Sequence, residues 1–337
     1  MTRTRPTSRM RSLALVLSVA LLIAAGAAPA ADAAFPGKPG PIAYSLSFSS
    51  ATEFGGGIFA HGPRASQKAS RLTTVNGDGS PSYSADGREL VFAGRSDAGL
   101  PSTGPETRQI YRMNSDGGER QMVTSGLVYD SNPAFSPDGR RIVFDRMIGT
   151  SRTPHIFIVN VDGSGLRQLT SGSKADYEPT FTPNGRRIVF VSNRISDKEK
   201  DRSAIYAMGP DGSNLGVLIN TPRNEGEPDV SPNGKRILFM SSRDGGQSIY
   251  VATANGKHMR ALIKPPSTCI RRSCYSFPVW SPDEKHIAAL YSGSYSSSLV
   301  VLRADGKGYS KTFARSSTEE EGYGSHLGPP SWGPVPR

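Results

Sequence analysis

Pro133-Ala134-Phe135-Ser136-Pro137-Asp138-Gly139 is the stretch that decides the fold, because the chain repeats it at regular intervals. Each copy has a proline, one further residue, a third residue that is usually aromatic, and a tight turn. The other copies are Pro81-Ser82-Tyr83-Ser84-Ala85-Asp86-Gly87, Pro179-Thr180-Phe181-Thr182-Pro183-Asn184-Gly185, Pro228-Asp229-Val230-Ser231-Pro232-Asn233-Gly234, Pro278-Val279-Trp280-Ser281-Pro282-Asp283-Glu284 and the terminal Pro330-Ser331-Trp332-Gly333-Pro334. The third positions, 83, 135, 181, 230, 280 and 332, are 52, 46, 49, 50 and 52 residues apart. A period of this size indicates a repeat architecture.

Each repeat contains the pattern of four β-strands. A short apolar run such as Ile142-Val143-Phe144 follows the first turn, and a second run such as Ile156-Phe157-Ile158-Val159 leads into an Asp-Gly or Asn-Gly turn. β-Branched and aromatic runs of this length, bounded by Gly, Pro, Asp and Ser, are typical of strands. Both turn sequences are typical of hairpins. Each unit therefore predicts four antiparallel strands, named a to d in chain order.

A four-stranded sheet of this size cannot bury both of its faces alone, so the units must stack. Radial stacking around an axis, as in a β-propeller, leaves only short edges. Residues 40–73 contain strands of types b, c and d without a preceding a, and residues 330–334 form a strand a without successors. The sequence therefore predicts an all-β, six-bladed β-propeller over residues 36–337. Its blades are four-stranded and antiparallel, and the C-terminal strand closes the ring by pairing with N-terminal strands.

The repeat resembles that of the TolB-like β-propeller family, whose units are similar to WD40-like repeats. The resemblance rests on Pro-x-aromatic-Ser-Pro-Asp-Gly, a following Arg or Lys, a β-branched run, an Ile-Tyr strand and Asp-Gly-Gly. It implies the propeller fold, which hosts binding proteins, hydrolases and lyases alike. TolB carries an additional α/β domain ahead of its propeller. Here Phe35-Pro36-Gly37-Lys38-Pro39 separates the export segment from the first strand, which predicts a propeller without that domain.

Residues 1–33 have the pattern of a secretory signal peptide. Four arginines precede an apolar run that ends near Ala28, and the small-residue sites Ala28-Pro29-Ala30 and Ala31-Asp32-Ala33 follow. This order predicts export, with cleavage after Ala30 or Ala33. The alternative is an uncleaved membrane anchor, since the apolar run approaches spanning length. We expect an extracytoplasmic protein, periplasmic or secreted, without a transmembrane segment after cleavage.

The charge of the chain favours anionic partners. Its formal net charge is +11, and the segment 1–33 holds four arginines and one aspartate, so +8 remains for the rest. Such a balance favours acidic proteins or anionic envelope polymers, although it also serves solubility. The chain shows no aromatic and basic platform of the kind that single-stranded nucleic acid needs. We therefore expect no nucleic-acid partner, and we expect a monomer.

The only two cysteines, Cys269 and Cys274, lie in one connection between predicted strands. In an exported protein such a pair predicts a disulfide that pins the connection. As a metal site it would lack two further ligands. No cofactor and no metal are predicted.

One face of the predicted propeller is the candidate for recognition. The a–b and c–d turns, which are short and repeated, emerge on what we call the turn face, and the b–c and d–a connections emerge on the opposite loop face. The loop-face connections differ between blades, and variable loops on a constant scaffold commonly carry recognition. The candidate residues near this face are Arg95, Arg146, Arg194, Arg243, Asp130, Asp176, Glu178, Glu225, Glu227 and His326. The arginines and acids predict either a charged funnel for a ligand or pairs that lock adjacent blades.

Catalysis finds little support in the sequence. The five histidines fall at different places in their repeats, so no single site gathers them. Neither the H-E-x-x-H motif nor the G-x-S-x-G motif occurs. We therefore predict a non-catalytic binding or scaffold propeller that recognises a protein or an anionic envelope polymer through its loop face. The alternative is a carbohydrate-active lyase or hydrolase on the same scaffold.

Overall fold

The computed structural model describes ten segments of the chain. They are residues 36–49, 54–62, 66–95, 107–148, 152–195, 202–264, 275–292, 296–307, 309–317 and 325–336. The predicted signal peptide, Cys269 and Cys274 lie outside these segments, so cleavage and the disulfide stay predictions. No helix in the described segments is long and apolar enough to cross a membrane.

The strands form six separate sheets. In chain order they are β1 (Pro39–Ser49), β2 (Phe54–His61), β3 (Ser70–Arg71), β4 (Gly79–Tyr83), β5 (Glu89–Gly94), β6 (Gln109–Asn114), β7 (Gln121–Met122), β8 (Val128–Phe135), β9 (Arg141–Ile148), β10 (His155–Asn160), β11 (Arg167–Gln168), β12 (Asp176–Phe181), β13 (Ile188–Ser192), β14 (Ala204–Met208), β15 (Gly216–Ile219), β16 (Glu225–Val230), β17 (Arg236–Ser241), β18 (Ser248–Thr253), β19 (Arg260–Ile263), β20 (Tyr275–Trp280), β21 (His286–Ser292), β22 (Ser296–Arg303), β23 (Tyr309–Ser317), β24 (Ser325–Leu327) and β25 (Ser331–Pro334). Strands β4–β7 form blade 1, β8–β11 blade 2, β12–β15 blade 3, β16–β19 blade 4 and β20–β23 blade 5, and β1–β3 join β24 and β25 in blade 6. The six-bladed, all-β prediction is confirmed.

Blade 6 differs from the predicted four-stranded plan in one detail. Both β24 and β25 pair with β1, so its sheet has five strands and its innermost strand is in two pieces. The break spans Gly328, Pro329 and Pro330, where two consecutive prolines lack the N–H groups that a ladder needs. The b–c hairpin of this blade is long, because β1 and β2 stay paired as far as Ser49 and Phe54.

The hydrophobic core is divided into six clusters, one between each pair of neighbouring blades. Successive residues of a strand point to opposite faces of its sheet, so each blade contributes to two clusters. In β9, for example, Ile142 and Phe144 pack against blade 1, whereas Val143 packs against blade 3. The cluster between blades 5 and 6 and the cluster between blades 6 and 1 complete the circle. Stacking of the blades therefore buries both faces of every sheet.

The repeated a–b turn is held by its own side chains. In blade 2, the Ser136 hydroxyl donates to Asp138 Oδ1 at 2.5 Å, and the same Oδ1 accepts from the Arg140 amide at 3.1 Å. Gly139 has φ of +68° and closes the turn. In blade 5 the glycine is replaced by Glu284, which adopts φ of +58°. The five copies thus use a turn that the sequence predicted from its Ser, Asp and Gly.

The glycine of the c–d turn has a second role, because it lies against the preceding blade. A Cβ atom at Gly256 would lie 2.0 Å from the carbonyl oxygen of Leu218, and one at Gly306 would lie 2.7 Å from that of Leu262. Both glycines also have positive φ, 77° and 76°. These two c–d turns therefore approach the outer strand of the preceding blade more closely than a residue with a side chain permits.

Ring closure depends on β25, which pairs with β1 beside the axis. Trp332 is opposite Ile42, and its indole N–H donates to the Gly40 carbonyl at 3.1 Å. The Ser331 hydroxyl oxygen accepts from the Tyr83 amide of blade 1 at 3.1 Å. Trp332 is only 6% exposed and belongs to the core cluster between blades 5 and 6. Strand β25 thus contacts both blades that flank blade 6, which are blade 5 through Trp332 and blade 1 through Ser331.

We expect Trp332→Ala to lower the free energy of unfolding by about 3–5 kcal/mol, because it removes a buried aromatic side chain and leaves a cavity. Chemical denaturation of the purified protein would measure the loss. Val335→Ala is the control, since Val335 follows the same strand but is 46% exposed. Equal effects of the two substitutions would contradict closure through Trp332.

Candidate binding site

The innermost strands enclose a cavity of about 170 Å³ on the axis. Every blade contributes the strand a proline and its neighbours to the wall. The polar part of the wall is Ser80, Ser82, Asn132, Glu178, Thr180, Glu227, Asp229 and Ser331, and its aromatic residues are Phe277, Trp280 and Trp332. Proline is tolerated here because the inner edge of each blade has no further strand to accept a hydrogen bond. The repeat thus lines the axis with a rigid wall.

The residue before the strand a proline has an unusual backbone conformation in five blades. Ser80, Asn132, Glu178, Glu227 and Phe277 all have φ between 48° and 53°. The pairing of strands a and b shifts register at the same place in each of these blades. A non-glycine residue in this region costs on the order of 1–3 kcal/mol and persists only where the surroundings hold it. The repeated bulge therefore needs a compensating contact.

A series of carboxylates supplies that contact between blades. The amide of Glu178 in blade 3 donates to Asp145 Oδ1 of blade 2 at 3.0 Å, and Asn132 Nδ2 holds the same carboxylate at 2.9 Å. The amide of Glu227 in blade 4 donates to Glu178 Oε2 at 2.9 Å. The amide of Phe277 in blade 5 then donates to Glu227 Oε2. The bulged residues of blades 3, 4 and 5 thus each turn their N–H toward an acid on the preceding blade.

This series of contacts does not continue into blade 6. At the next step the acceptor position is Phe277, whose side chain has no acceptor, and the donor position in blade 6 is Pro329, which has no N–H. A parallel contact joins blades 4 and 5, because Asp229 Oδ2 accepts from the Trp280 amide at 2.7 Å. The acids of this series are therefore on blades 2 to 4, and those that line the cavity are on blades 3 and 4.

Burial raises the pKa of every one of these acids. It raises the pKa of Asp145 to about 6 and the pKa values of Glu178 and Asp229 to about 7. It also raises the pKa of Glu227 well above its usual value, and the neighbouring Glu178 carboxylate raises it further. Backbone and side-chain hydrogen bonds oppose these shifts. Glu178, Glu227 and Asp229 are all partly exposed and line the cavity. Two of these carboxyls, Glu178 and Asp229, gain or lose protons near neutral pH because their pKa values are raised to about 7.

Three of the predicted arginines pair with three of the predicted acids inside single blades. Arg146 binds Asp130 through two bonds of 2.6 and 2.8 Å, and the carboxylate is fully buried. The Arg146 guanidinium also stacks over the rings of Phe144 and Phe157, at 5.3 and 5.4 Å from their centroids. The corresponding pairs are Arg194 with Asp176 at 2.6 Å and Arg243 with Glu225 at 3.2 Å. These charges are therefore largely neutralised within the fold.

A threonine connects two of these acids, Asp130 and Glu225, to the preceding blade. In blade 1 the Ile110 amide donates to Thr124 Oγ1 at 2.8 Å, and the Thr124 hydroxyl donates to Asp130 of blade 2 at 2.5 Å. Thr221 donates to Glu225 in the same way between blades 3 and 4. The second of the two sequence interpretations thus agrees with the geometry only in part: the pairs are present, but each lies within one blade, and for Asp130 and Glu225 a threonine makes the contact with the preceding blade.

Arg95 and His326 lie apart from these pairs. In blade 1 the acid is Asp78, which accepts two bonds from Arg120, and Arg95 is exposed without an ion pair to any described residue. His326 is in β24, where it pairs with Ser47 of β1, and it lines a second cavity of about 220 Å³. Nothing in the structure tests whether the predicted residues bind a ligand, so that role stays a prediction.

Sequence reasoning missed Asp145 and Asp229. Asp145 lies within the apolar strand β9, where an acid next to Phe144 is itself a signal of a special environment. Asp229 occupies a repeat position that holds Ser82, Ala134 or Thr180 in other blades. An acid at a position that is otherwise small and uncharged would have pointed to the axis.

Comparison with known proteins confirms the resemblance inferred from the repeat. Residues 45–200 match the TolB beta propeller domain family. The structure resembles TolB from Acinetobacter baumannii, with a TM-score of 0.65 and 18% identity over 88% of this chain and 67% of that one. It also resembles a TolB candidate from Agrobacterium tumefaciens, with a TM-score of 0.62 and 17% identity over 88% of this chain and 99% of that one. It resembles hydrazine synthase from Kuenenia stuttgartiensis as well, with a TM-score of 0.68 and 13% identity over 90% of this chain and 48% of that one.

These likenesses establish a TolB-like propeller fold and nothing finer, since sequence identities are low and the structures include an enzyme. No curated protein sequence matches the chain. The chemistry of the site must therefore come from its own residues.

The first prediction from this site concerns Arg146 and Arg95, which occupy equivalent positions in neighbouring blades. We expect Arg146→Met to lower the free energy of unfolding by about 3–5 kcal/mol, because it leaves Asp130 buried without its partner. Arg95→Met is the matched control and should change it by less than about 0.5 kcal/mol. Denaturant titration measures both. If the two variants were equally stable, the pair with Asp130 would have no structural role.

The second prediction concerns pH. The folded pKa values of Glu178 and Glu227 lie above those of an unfolded chain, so the folded state binds more protons between about pH 4 and pH 7, and stability falls as pH rises through that window. We expect Glu178→Gln with Glu227→Gln to stabilise the protein at pH 8 by about 1–3 kcal/mol and to change it little at pH 5. Thermal unfolding at both pH values measures the difference. A variant that is destabilised at pH 8 would contradict the assignment.

Proposed function

We propose that this TolB-like propeller is an exported, non-catalytic binding module that takes a basic segment of a partner protein into its axial cavity. The observation that carries the proposal is the acidic cavity itself, in which Glu178, Glu227 and Asp229 of two neighbouring blades form one side of a wall that prolines from every blade complete. The pattern of residues 1–33 supports the export part of the proposal.

The size of the cavity favours a protein segment over a small-molecule substrate. Its volume of about 170 Å³ is below the roughly 300–1,000 Å³ that is usual for sites that enclose a drug-sized ligand. A space of this size accommodates one or two side chains. Because the wall is built from prolines and paired strands, a partner that inserts there meets a site that needs little reorganisation.

The charge of the cavity favours a cationic side chain. A lysine or arginine placed near Glu178 and Glu227 would supply charge-assisted hydrogen bonds and would lower the pKa of both carboxyls. Binding would then release protons near neutral pH, because the pKa of Glu178 in the free cavity is about 7 and that of Glu227 is also raised. An anionic polymer would meet repulsion at this site, so we assign the axial cavity to a protein partner.

The loop face is the side from which we expect the partner to approach. Its connections differ between blades in sequence, whereas the turns of the opposite face repeat. Variable connections give a surface that can recognise one particular partner. Most of these connections lie outside the described residues, so the argument for this face rests on sequence.

A photo-cross-linking experiment in the native host tests the proposal. A small diazirine amino acid would replace Thr180, which is partly exposed and lines the cavity, or Met122, which is 54% exposed on the outer edge of blade 1. We expect the Thr180 probe, and not the Met122 probe, to capture a discrete protein through a peptide that contains Lys or Arg.

A charge variant provides the internal control for this experiment. In the background Glu178→Gln with Glu227→Gln, we expect the yield of the Thr180 adduct to fall about tenfold, because the charge-assisted bonds are lost. Undiminished yield in that background would exclude recognition through the carboxyls. Capture of the same protein from Met122 would exclude the axial cavity.

A further inference from the structure

The turn face has a charge pattern that the fold does not require. Its a–b turns carry an acid in blades 1, 2 and 5, at Asp86, Asp138 and Asp283, but an asparagine in blades 3 and 4. The c–d turns carry an acid in blades 1, 2, 3 and 5, and an asparagine, Asn255, in blade 4. Negative charge is thus missing from neighbouring turns in one sector of the face.

Asparagine performs the same structural task in these turns as aspartate. Asn184 Oδ1 accepts from the Arg186 amide at 3.1 Å, which is the distance of the corresponding bond to Asp138 in blade 2. Asn255 Oδ1 accepts from the Lys257 amide at 3.3 Å. Asn233 has an additional role, because its Nδ2 donates to Glu284 of blade 5. At Asn184 and Asn255 the turn gains nothing in geometry, and the difference from the repeat is the loss of a charge.

A broad cleft borders this sector, between blades 4 and 5. Its volume is about 870 Å³, and its basic residues are Arg236, Arg260, Lys285, His286 and Arg303. Two acids, Glu284 and Asp305, also line it. The formal balance of the lining is therefore positive even when His286 is neutral.

Two of the basic residues are already paired, and two are not. Arg236 binds Glu284 at 2.9 Å, and Arg303 binds Asp305 at 2.8 Å. Arg260 and Lys285 are exposed and form no ion pair with the described residues. The cleft thus has walls fixed by two ion pairs and two cationic groups that are available to an external anion.

We propose that this cleft binds an anionic polysaccharide, with Arg260 and Lys285 as its principal contacts to carboxylate or sulfate groups. A concave and largely polar site fits a chain of sugar residues, whereas a lipid bilayer presents a flat surface that would leave the cleft unfilled. None of the residues that line the cleft is a phenylalanine, tyrosine or tryptophan, so it offers no platform on which nucleic-acid bases would stack.

The site is independent of the axial cavity. It lies on the turn face, it is basic where the cavity is acidic, and it shares no lining residue with it. A protein partner at the loop face and a polysaccharide at the turn face could therefore bind at the same time. The propeller would then connect a polymer of the envelope to a protein.

The test measures binding of fluorescent dextran sulfate, with neutral dextran of the same length for comparison. We expect binding of the sulfated polymer alone, and a marked weakening between about 50 mM and about 200 mM salt, because ion release drives such association. Arg260→Ala with Lys285→Ala should weaken binding about tenfold or more, since two direct charge contacts are lost. Asn255→Asp should weaken it in the same direction, because it restores the acid that other blades carry.

The control variant is Arg140→Ala with Arg186→Ala, which removes two exposed cations from the a–b turns of blades 2 and 3, outside the cleft. It changes the net charge by the same amount, and we expect less than about a twofold effect on binding, because neither residue lines the cleft. If the two double variants lost affinity for dextran sulfate equally, binding would depend only on net charge, and the proposal would be overturned. Binding to phosphatidylglycerol vesicles or duplex DNA that matches or exceeds dextran sulfate would overturn the assignment to a polysaccharide.

Discussion

The inner edge of each blade has no strand beside it, and the chain must satisfy that edge by other means. Prolines remove part of the demand, because they bring no N–H to the axis. Where an N–H remains, at Glu178, Glu227 and Phe277, a carboxylate of the preceding blade accepts it. The contact compensates a strained bulge and joins two blades at once. It also brings acids onto the axis, so the requirement that holds the ring together gives the cavity its chemistry.

Equivalent positions of the repeat need not have equivalent roles. Arg146, Arg194 and Arg243 form ion pairs with buried acids. Arg95 forms no such pair with a described residue, because Asp78, the corresponding acid of blade 1, binds Arg120 instead. A repeat preserves the backbone more strictly than the partners of its side chains, since each blade contacts only its neighbours. Departures from the repeat are therefore more informative about function than the repeat itself, as the acid at Asp229 and the uncharged turn at Asn255 illustrate.

The molecule separates its charges by position. Acids line the axis on the side of blades 3 and 4, while the turn face of blades 4 and 5 presents a basic cleft. The net positive charge of the sequence thus conceals an acidic site, and net charge alone does not indicate which surface carries which sign of charge. The two sites favour ligands of opposite sign, which suits a module that joins a basic protein segment to an anionic polymer.

The sequence by itself determined the number of blades, the strand order and the closure by Trp332, because these follow from local turn chemistry and from the spacing of a repeat. It also placed Glu178 and Glu227 before their prolines. It could not determine that Asp145 and Asp229 join them, that Arg95 lacks the pair formed by Arg146, or that Arg260 and Lys285 share a cleft. Those facts depend on which side chains of neighbouring blades meet, and only the tertiary structure decides that, because stacking brings together residues about 50 positions apart.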